Sequence, residues 1–137
     1  MARDPDLDSL VQLSWRVFDV LDDTARRHEL SPTQLRLLAI LRDREPEMLE
    51  LAAHLGLDKS STSGLVARAE GRGLVQRVPS DSDRRRVAVR LTDAGRAQAT
   101  VLEQESYAAL GAIMDRLPTD QRSAFAAICR ELLKRVG

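Results

Sequence analysis

The sequence lacks the residues and runs that secreted and membrane proteins need. Its single cysteine, Cys129, cannot form a disulfide framework within one chain. No stretch approaches the roughly 20 consecutive apolar residues of a membrane span. The opening stretch MARDPDLDSL is acidic and has no apolar segment, so we expect no signal peptide. These absences predict a cytoplasmic protein with no membrane partner.

Side chains that carry catalysis are also scarce. His28, His54 and Cys129 lie on three different predicted helices, without metal-ligand spacing or a nucleophile motif. We therefore expect no enzymatic activity, no metal and no cofactor. His54 is interpreted as structural or solvent-facing. Cys129, beside Ile128 in an apolar stripe, is interpreted as a small buried hydrophobe rather than a redox sensor.

The composition describes one soluble globular domain whose charge is unevenly distributed. The 137 residues are 43% apolar and 31% charged, with a net charge of zero. Residues 59–90 contain eight cations and three anions, whereas residues 1–58 contain seven cations and twelve anions. Residues 59–90, the basic block, favour a polyanionic partner, although charge alone is equally consistent with a solvated face.

Apolar spacing and capping residues predict four helices in the first part of the chain. An amphipathic pattern runs through LVQLSWRVFDVLDDTARR from Leu10. The second helix starts with Ser31 as its cap, Pro32 in the first position and Gln34 completing a capping box. We expect the third helix to begin at Pro46 and end at Gly56, and the fourth to be capped by Asp58 or Ser60 and closed by Gly73.

A β-hairpin and two more helices are predicted after residue 74. The segments LVQRVP and RVAVRL form the strands, and the second alternates Val87, Val89 and Leu91 with Arg86, Ala88 and Arg90. The polar turn PSDSDR joins them, where Asp81 or Asp83 could pair with an arginine. Thr92 should cap a long helix, Pro118 should end it, and Thr119 should cap the last helix.

This order of elements predicts a mainly α fold with a small β-hairpin wing. A winged helix-turn-helix of about residues 31–92 is flanked by helices of about residues 8–28 and 93–136. In such a unit the second helix of the turn lies in the major groove, where short hydroxyl side chains can reach phosphates and base edges. The arginines at the hairpin tip could enter the neighbouring minor groove, where the potential is most negative. A capped, solvent-facing helix start is the alternative for the serines alone.

The segment GRGLVQRVPSDSDRRRVAVRLTDAGR resembles the recognition-helix exit and wing of the MarR family of winged helix-turn-helix transcriptional regulators. The Gly-Leu-Val exit, the Asp-Arg-Arg tip and the Leu-Thr-x-x-Gly entry into the next helix all match. The resemblance implies a homodimer, built from the terminal helices, that binds an inverted-repeat DNA operator. It also implies that a small aromatic or lipophilic effector can release the DNA.

The basic block and the resemblance together give a predicted DNA interface. Many family members have Thr-Arg where this chain has Ser63-Gly64, so one expected arginine contact is missing. Glycine weakens a helix by up to about 1 kcal/mol relative to alanine. The predicted contacts come from the fourth helix and the wing: Lys59, Ser60, Ser61, Thr62, Ser63, Gly64, Arg68, Arg84, Arg85 and Arg86.

The predicted effector site and dimer interface use the flanking helices. The resemblance places a crevice at the base of the winged domain, where Trp15, Phe18, Leu38 and Arg77 could bind a ligand. Alternatively, both aromatics are dimer core and Arg77 contacts a phosphate. A module that binds an acidic protein remains the alternative function. The apolar faces assigned to the dimer comprise Leu13, Val17, Phe18, Leu21, Val101, Leu110, Ile113, Met114, Phe125, Ile128, Leu132 and Val136.

Overall fold

The computed structural model describes residues 1–134 as a mainly helical chain with one antiparallel hairpin. Val136, which was assigned to the dimer interface, lies outside the described residues. The order of elements is the predicted one. The elements are α1 (Pro5–Arg27), α2 (Pro32–Asp43), α3 (Met48–Leu55), α4 (Lys59–Gly71), β1 (Val75–Pro79), β2 (Val87–Leu91), α5 (Asp93–Met114) and α6 (Thr119–Leu133).

Most helix ends lie where the capping residues indicate. Ser31 Oγ accepts from the Gln34 N–H at 3.1 Å, and the Gln34 side chain accepts from the Ser31 N–H at 2.9 Å, so the capping box is confirmed. Asp58, rather than Ser60, caps α4. Gly56 and Gly73 follow α3 and α4 with φ of 66° and 72°, the left-handed region that glycine adopts without strain.

Two predicted helix starts are wrong. α3 begins at Met48 because the preceding residues pair with the hairpin: the Pro46 carbonyl accepts from the Val89 N–H at 3.0 Å. Thr119 is the first residue of α6 rather than its cap, and Pro118 occupies the cap position without a side-chain hydrogen bond. α5 ends at Met114, before Pro118 is reached, and the fixed φ of the proline leads directly into α6.

The hairpin has the predicted strands but a different burial pattern in β2. Its register pairs Val75 with Leu91 and Pro79 with Val87. Val87 is exposed and Ala88 is buried, because Ala88 forms a β-bridge with Glu47 on the side opposite β1. Strict alternation therefore fails where β2 meets the segment before α3.

The core lies within the winged domain and against one face of α5. Its largest fully buried apolar side chains come from α2, α3, α4 and β2, including Leu37, Leu41, Leu51, Val66 and Val89. α1 has only Thr24 and Ala25 buried, and α6 has no buried residue. The terminal helices therefore leave most of their apolar side chains uncovered within one protomer.

Candidate nucleic-acid interface

α4 presents a polar, open face at its amino-terminal end. Lys59, Ser60 and Ser61 are exposed, whereas Leu65 and Val66 anchor the opposite face in the core. The Asp58 carboxylate accepts from the Ser61 N–H at 2.7 Å, and this bond to Ser61 lowers the pKa of Asp58. The start of the helix is therefore fixed while its hydroxyl side chains remain accessible.

Thr62 does not belong to this exposed face. Its side chain is fully buried, and its hydroxyl donates to the Asp58 carbonyl at 2.8 Å. The prediction that Thr62 contacts DNA is therefore corrected: the hydroxyl is directed into the core one turn back along its own helix. Ser63 is half-buried, and its carbonyl accepts from Arg77 at 3.3 Å.

Gly64 and Arg68 lie one turn apart and share the same space. A Cβ at Gly64 would lie 3.3 Å from Arg68 Nη1, so the guanidinium lies over the position that the glycine leaves open. Both residues line a shallow groove with Ser60 and Ser61. Arg68 thus brings a cation close to the position where many family members carry arginine.

The cations of the basic block divide into partnered and free groups. Arg72 donates to the carbonyls of Glu29 and His28, and Arg90 lies within hydrogen-bond reach of the Gln76 side chain opposite it. Within the basic block, all of which the structure describes, three cations have no carboxylate or carbonyl partner, and all three are exposed: Lys59, Arg68 and Arg84.

The wing tip is organised by Asp83, one of the two predicted partners. Its carboxylate accepts from the Arg85 N–H at 3.0 Å and from Arg85 Nε at 3.2 Å, and these bonds lower the pKa of Asp83. It also lies 3.7 Å from Arg86 Nε. The Arg85 side chain is still 91% exposed, so this pairing braces it without covering it.

Arg77 joins the wing to α4. Its Nε lies 2.9 Å from a Glu70 carboxylate oxygen, and its Nη2 donates to the Ser63 carbonyl. The structure does not bring Arg77 to the crevice where an effector contact was predicted. It fixes α4 against β1 instead.

A second candidate site is an apolar cavity of about 550 Å³ between α1, α2 and α5. Phe18 and Leu38 line it, as predicted, although Leu38 is almost fully buried. Trp15 is not part of the lining but packs edge-on against Phe18, with ring centroids 6.2 Å apart. Two of the four predicted effector residues therefore line the cavity, and a third adjoins it.

The cavity contains a charged group that sequence reasoning missed. Arg42 of α2 pairs with Glu103 of α5 and with Asp43 at 2.9 Å, and both carboxylates raise its pKa above the ordinary value. Tyr107, one turn beyond Glu103, lines the same cavity. The sequence could not predict that these residues meet, because Arg42 lies on α2 and the other two lie on α5. Their contact depends on how α2 packs on α5.

Comparisons with known proteins identify the relatives of this chain. The sequence profile of the MarR family matches residues 28–86. The HTH-type transcriptional repressor YetL of Bacillus subtilis (strain 168) is 23% identical over 132 residues, covering 94% of this chain and 79% of YetL. The structure of transcriptional regulator PA4135 superposes with a TM-score of 0.80 at 26% identity, covering 98% of this chain and 100% of that protein.

A DNA-bound structure is also similar. The transcriptional repressor CouR, solved on a 23-mer DNA duplex, superposes with a TM-score of 0.77 at 27% identity, over 92% of this chain and 90% of CouR. These matches confirm the predicted fold.

No helix within residues 1–134 combines the length and apolarity needed to span a bilayer.

Proposed function

We propose that this chain, as a member of the MarR family of winged helix-turn-helix transcriptional regulators, represses transcription by binding an inverted-repeat operator as a homodimer. The observation that carries the proposal is the set of free cations on the recognition helix and wing: Lys59, Arg68 and Arg84. Free, exposed guanidinium and ammonium groups on these two elements match the phosphates and grooves of DNA.

The division of the basic block into partnered and free cations supports a role for each group. Arg72 and Arg77 hold α4 in place through carbonyl and carboxylate partners, so they fix the geometry of the interface. Arg68 and Arg84 have no such partner within residues 1–134 and can exchange water for phosphate oxygens. Ser60 and Ser61 supply short donors beside them for contacts to base edges or phosphates.

Two-fold symmetry would place two recognition helices on one face of a duplex. The exposed apolar side chains of α1 and α6 are the proposed dimer interface, with Leu10, Trp15, Ile128 and Leu132 each more than half exposed in one protomer. An isologous dimer requires two half-sites related by the same axis, separated by about one helical turn or a multiple of it. The operator would then be a short inverted repeat.

An effector is proposed to act through the cavity between α1, α2 and α5. The cavity adjoins the terminal helices and the winged domain, so its occupancy can influence how the two recognition helices are spaced. A ligand changes DNA affinity only to the extent that it binds the DNA-competent and incompetent arrangements differently. The apolar lining favours an aromatic or lipophilic molecule.

Fluorescence anisotropy with a labelled duplex tests the DNA-binding proposal. The probe is the 30-base-pair sequence that the unaltered protein enriches most from a random pool, titrated at several salt concentrations. Log affinity should fall with log salt with a slope of about −0.9 for each phosphate contacted. We expect a slope several times steeper than −1, because two subunits contribute.

Replacing Arg84 and Arg85 with alanine should weaken binding to all sequences and make that slope shallower. A matched control, Arg3→Ala with Arg116→Ala, removes two exposed cations outside the basic block and should change neither quantity. A slope near −1 or flatter, or equal effects of the two double variants, would contradict the DNA interface. If the anisotropy of the duplex does not change at any protein concentration, and an acidic protein is captured instead, a protein-binding module would be favoured.

A further inference from the structure

One carboxylate fastens the tip of the wing to the segment before α3. Glu47 Oε1 accepts from Ser80 Oγ and from Ser82 Oγ, both at 2.7 Å. Its other oxygen lies 3.3 Å from Arg86 Nη1. The hydroxyl of Ser80, then that of Ser82, and Arg86 lower the pKa of Glu47. Three groups from the two sides of the wing turn therefore meet at one side chain.

Backbone bonds place this carboxylate at the base of the turn. The Ser80 N–H donates to the Arg86 carbonyl at 2.9 Å, closing the turn just above the hairpin. Glu47 also forms the β-bridge to Ala88. Ser80 is only 5% exposed, and the Glu47 side chain is 16% exposed. The wing thus leaves the body of the protein at a joint in which Ser80 is buried and Glu47 is largely covered.

The sign of the Glu47 charge is unfavourable for the proposed function. A carboxylate packed against the basic wing repels a polyanion, and it also pairs with Arg86, which has only Asp83 as its other carboxylate partner. By charge alone, removing Glu47 should strengthen DNA binding. A favourable contribution from Glu47 can come only through the geometry of the wing.

We propose that Glu47 is a positioning residue for DNA binding, which directs the tip residues Arg84 and Arg85 toward the duplex by anchoring Ser80, Ser82 and Arg86. The inference rests on the proposed function, because it assigns a role in the same interface. Because the turn is already anchored, its backbone does not need to be ordered when DNA binds, and this part of the entropy cost is removed from the binding step.

Anisotropy with the selected 30-base-pair duplex distinguishes a positioning role of Glu47 from a purely electrostatic one. Removal of Glu47 weakens DNA binding in the first case and strengthens it in the second. Glu47→Ala should weaken binding about tenfold, equivalent to about 1.4 kcal/mol. Glu47→Gln, which keeps an acceptor for the serines, should show a smaller loss. Glu45→Gln removes an exposed carboxylate two residues away and should leave affinity unchanged or increase it. Ser82→Ala alters only an exposed partner and should reproduce part of the Glu47→Ala loss in a protein that stays folded.

A double-variant cycle tests whether Glu47 acts through the wing. In an Arg84→Ala, Arg85→Ala background, Glu47→Ala should cost little further affinity, because the groups it positions are gone. Hydroxyl-radical footprints should show which contacts Glu47→Ala loses. We expect loss of the minor-groove protection at the two ends of the site, which is assigned to the wings, and no loss of protection at its centre.

Full additivity in the cycle, or binding by Glu47→Ala and Ser82→Ala that equals or exceeds that of the unaltered protein, would overturn the inference and leave the proposed function standing. Failure of the unaltered protein to bind any duplex at low salt would overturn both.

Discussion

At the scale of single residues, the contacts of Thr92 and Gly95 explain why the Leu-Thr-x-x-Gly sequence stands at the start of α5. Thr92 Oγ1 accepts from the Gly95 N–H at 3.0 Å and donates to the Gly73 carbonyl at 2.6 Å. A Cβ at Gly95 would lie 1.8 Å from the Leu74 carbonyl oxygen, which is far inside van der Waals contact. The threonine therefore joins the start of α5 to the turn after α4, and the glycine allows the two backbones to touch.

Gly95→Ala should destabilise the fold, since a backbone carbonyl cannot move aside as a flexible side chain can. We expect a loss of about 3 kcal/mol and a fall in Tm of roughly 10 °C, measured by thermal unfolding. Gly71→Ala is the control, because a Cβ there meets nothing within 4 Å. An unchanged Tm for Gly95→Ala would show that the close approach of Leu74 is not required.

Single residues also show the limit of prediction from sequence at the candidate site. Ser60, Ser61 and the free arginines of the predicted DNA interface are exposed, as their polarity suggests. Thr62 has the same polarity but is buried, because a threonine hydroxyl can satisfy itself on the carbonyl of Asp58. Arg77 lies on β1 and Glu70 on α4, so their ion pair cannot be predicted from sequence spacing.

At the scale of elements, local signals predicted more of the fold than long-range ones. The α2 capping box and the glycines after α3 and α4 depend on neighbouring residues, and all were predicted correctly. The start of α3 and the burial of Ala88 depend on pairing between residues about 40 positions apart, and both were wrong. The role of Glu47 escaped notice for the same reason, because its partners belong to the wing.

The cap of α4 should make the stability of the protein depend on pH. The pKa of Asp58 is lowered by its bonds to Ser61, so the folded state holds the ionised carboxylate more strongly than the unfolded chain does. Its contribution is complete above the ordinary aspartate pKa of about 3.9 and is lost as pH falls through the lowered folded value.

Asp58→Ala should therefore lower the free energy of unfolding at pH 7, and the difference from the unaltered protein should shrink below about pH 4. Urea unfolding at a series of pH values measures this difference. Asp81→Ala, at an exposed position in the wing turn with no ion pair within residues 1–134, should show no such pH-dependent difference. A constant gap between Asp58→Ala and the unaltered protein would contradict the cap.

At the scale of the whole molecule, the uncovered terminal helices require a second copy in the proposed function. α6 carries Ile128, Leu132 and Leu133 at 59%, 73% and 80% exposure, and α1 carries Trp15 at 63%. Sedimentation at micromolar concentration should therefore show a dimer. Ile128→Asp with Leu132→Asp should produce monomers, because buried charges at an apolar interface lack partners.

Arg130→Ala, an exposed polar position on the same helix, should leave the dimer intact. A folded monomer of the unaltered protein would remove the interface and, with it, the expected spacing of operator half-sites. DNA binding by the monomeric double-aspartate variant should be much weaker, since one subunit reaches one half-site only.

Effector control, the last prediction, depends on an ion pair in the lining of the cavity. Arg42 and Glu103 join α2 of the winged domain to α5, and an aromatic carboxylate entering beside Phe18 would compete with Glu103 for the guanidinium. Trp15, the single tryptophan, packs on Phe18 and should report entry through a change in fluorescence.

We expect benzoate-type acids to change this signal and to release the DNA. Glu103→Gln should bind the acids more tightly and leave affinity for the neutral alcohol analogues unchanged. Equal changes for acid and alcohol would exclude the competition, and a silent tryptophan across a broad panel would favour a repressor controlled by its own abundance.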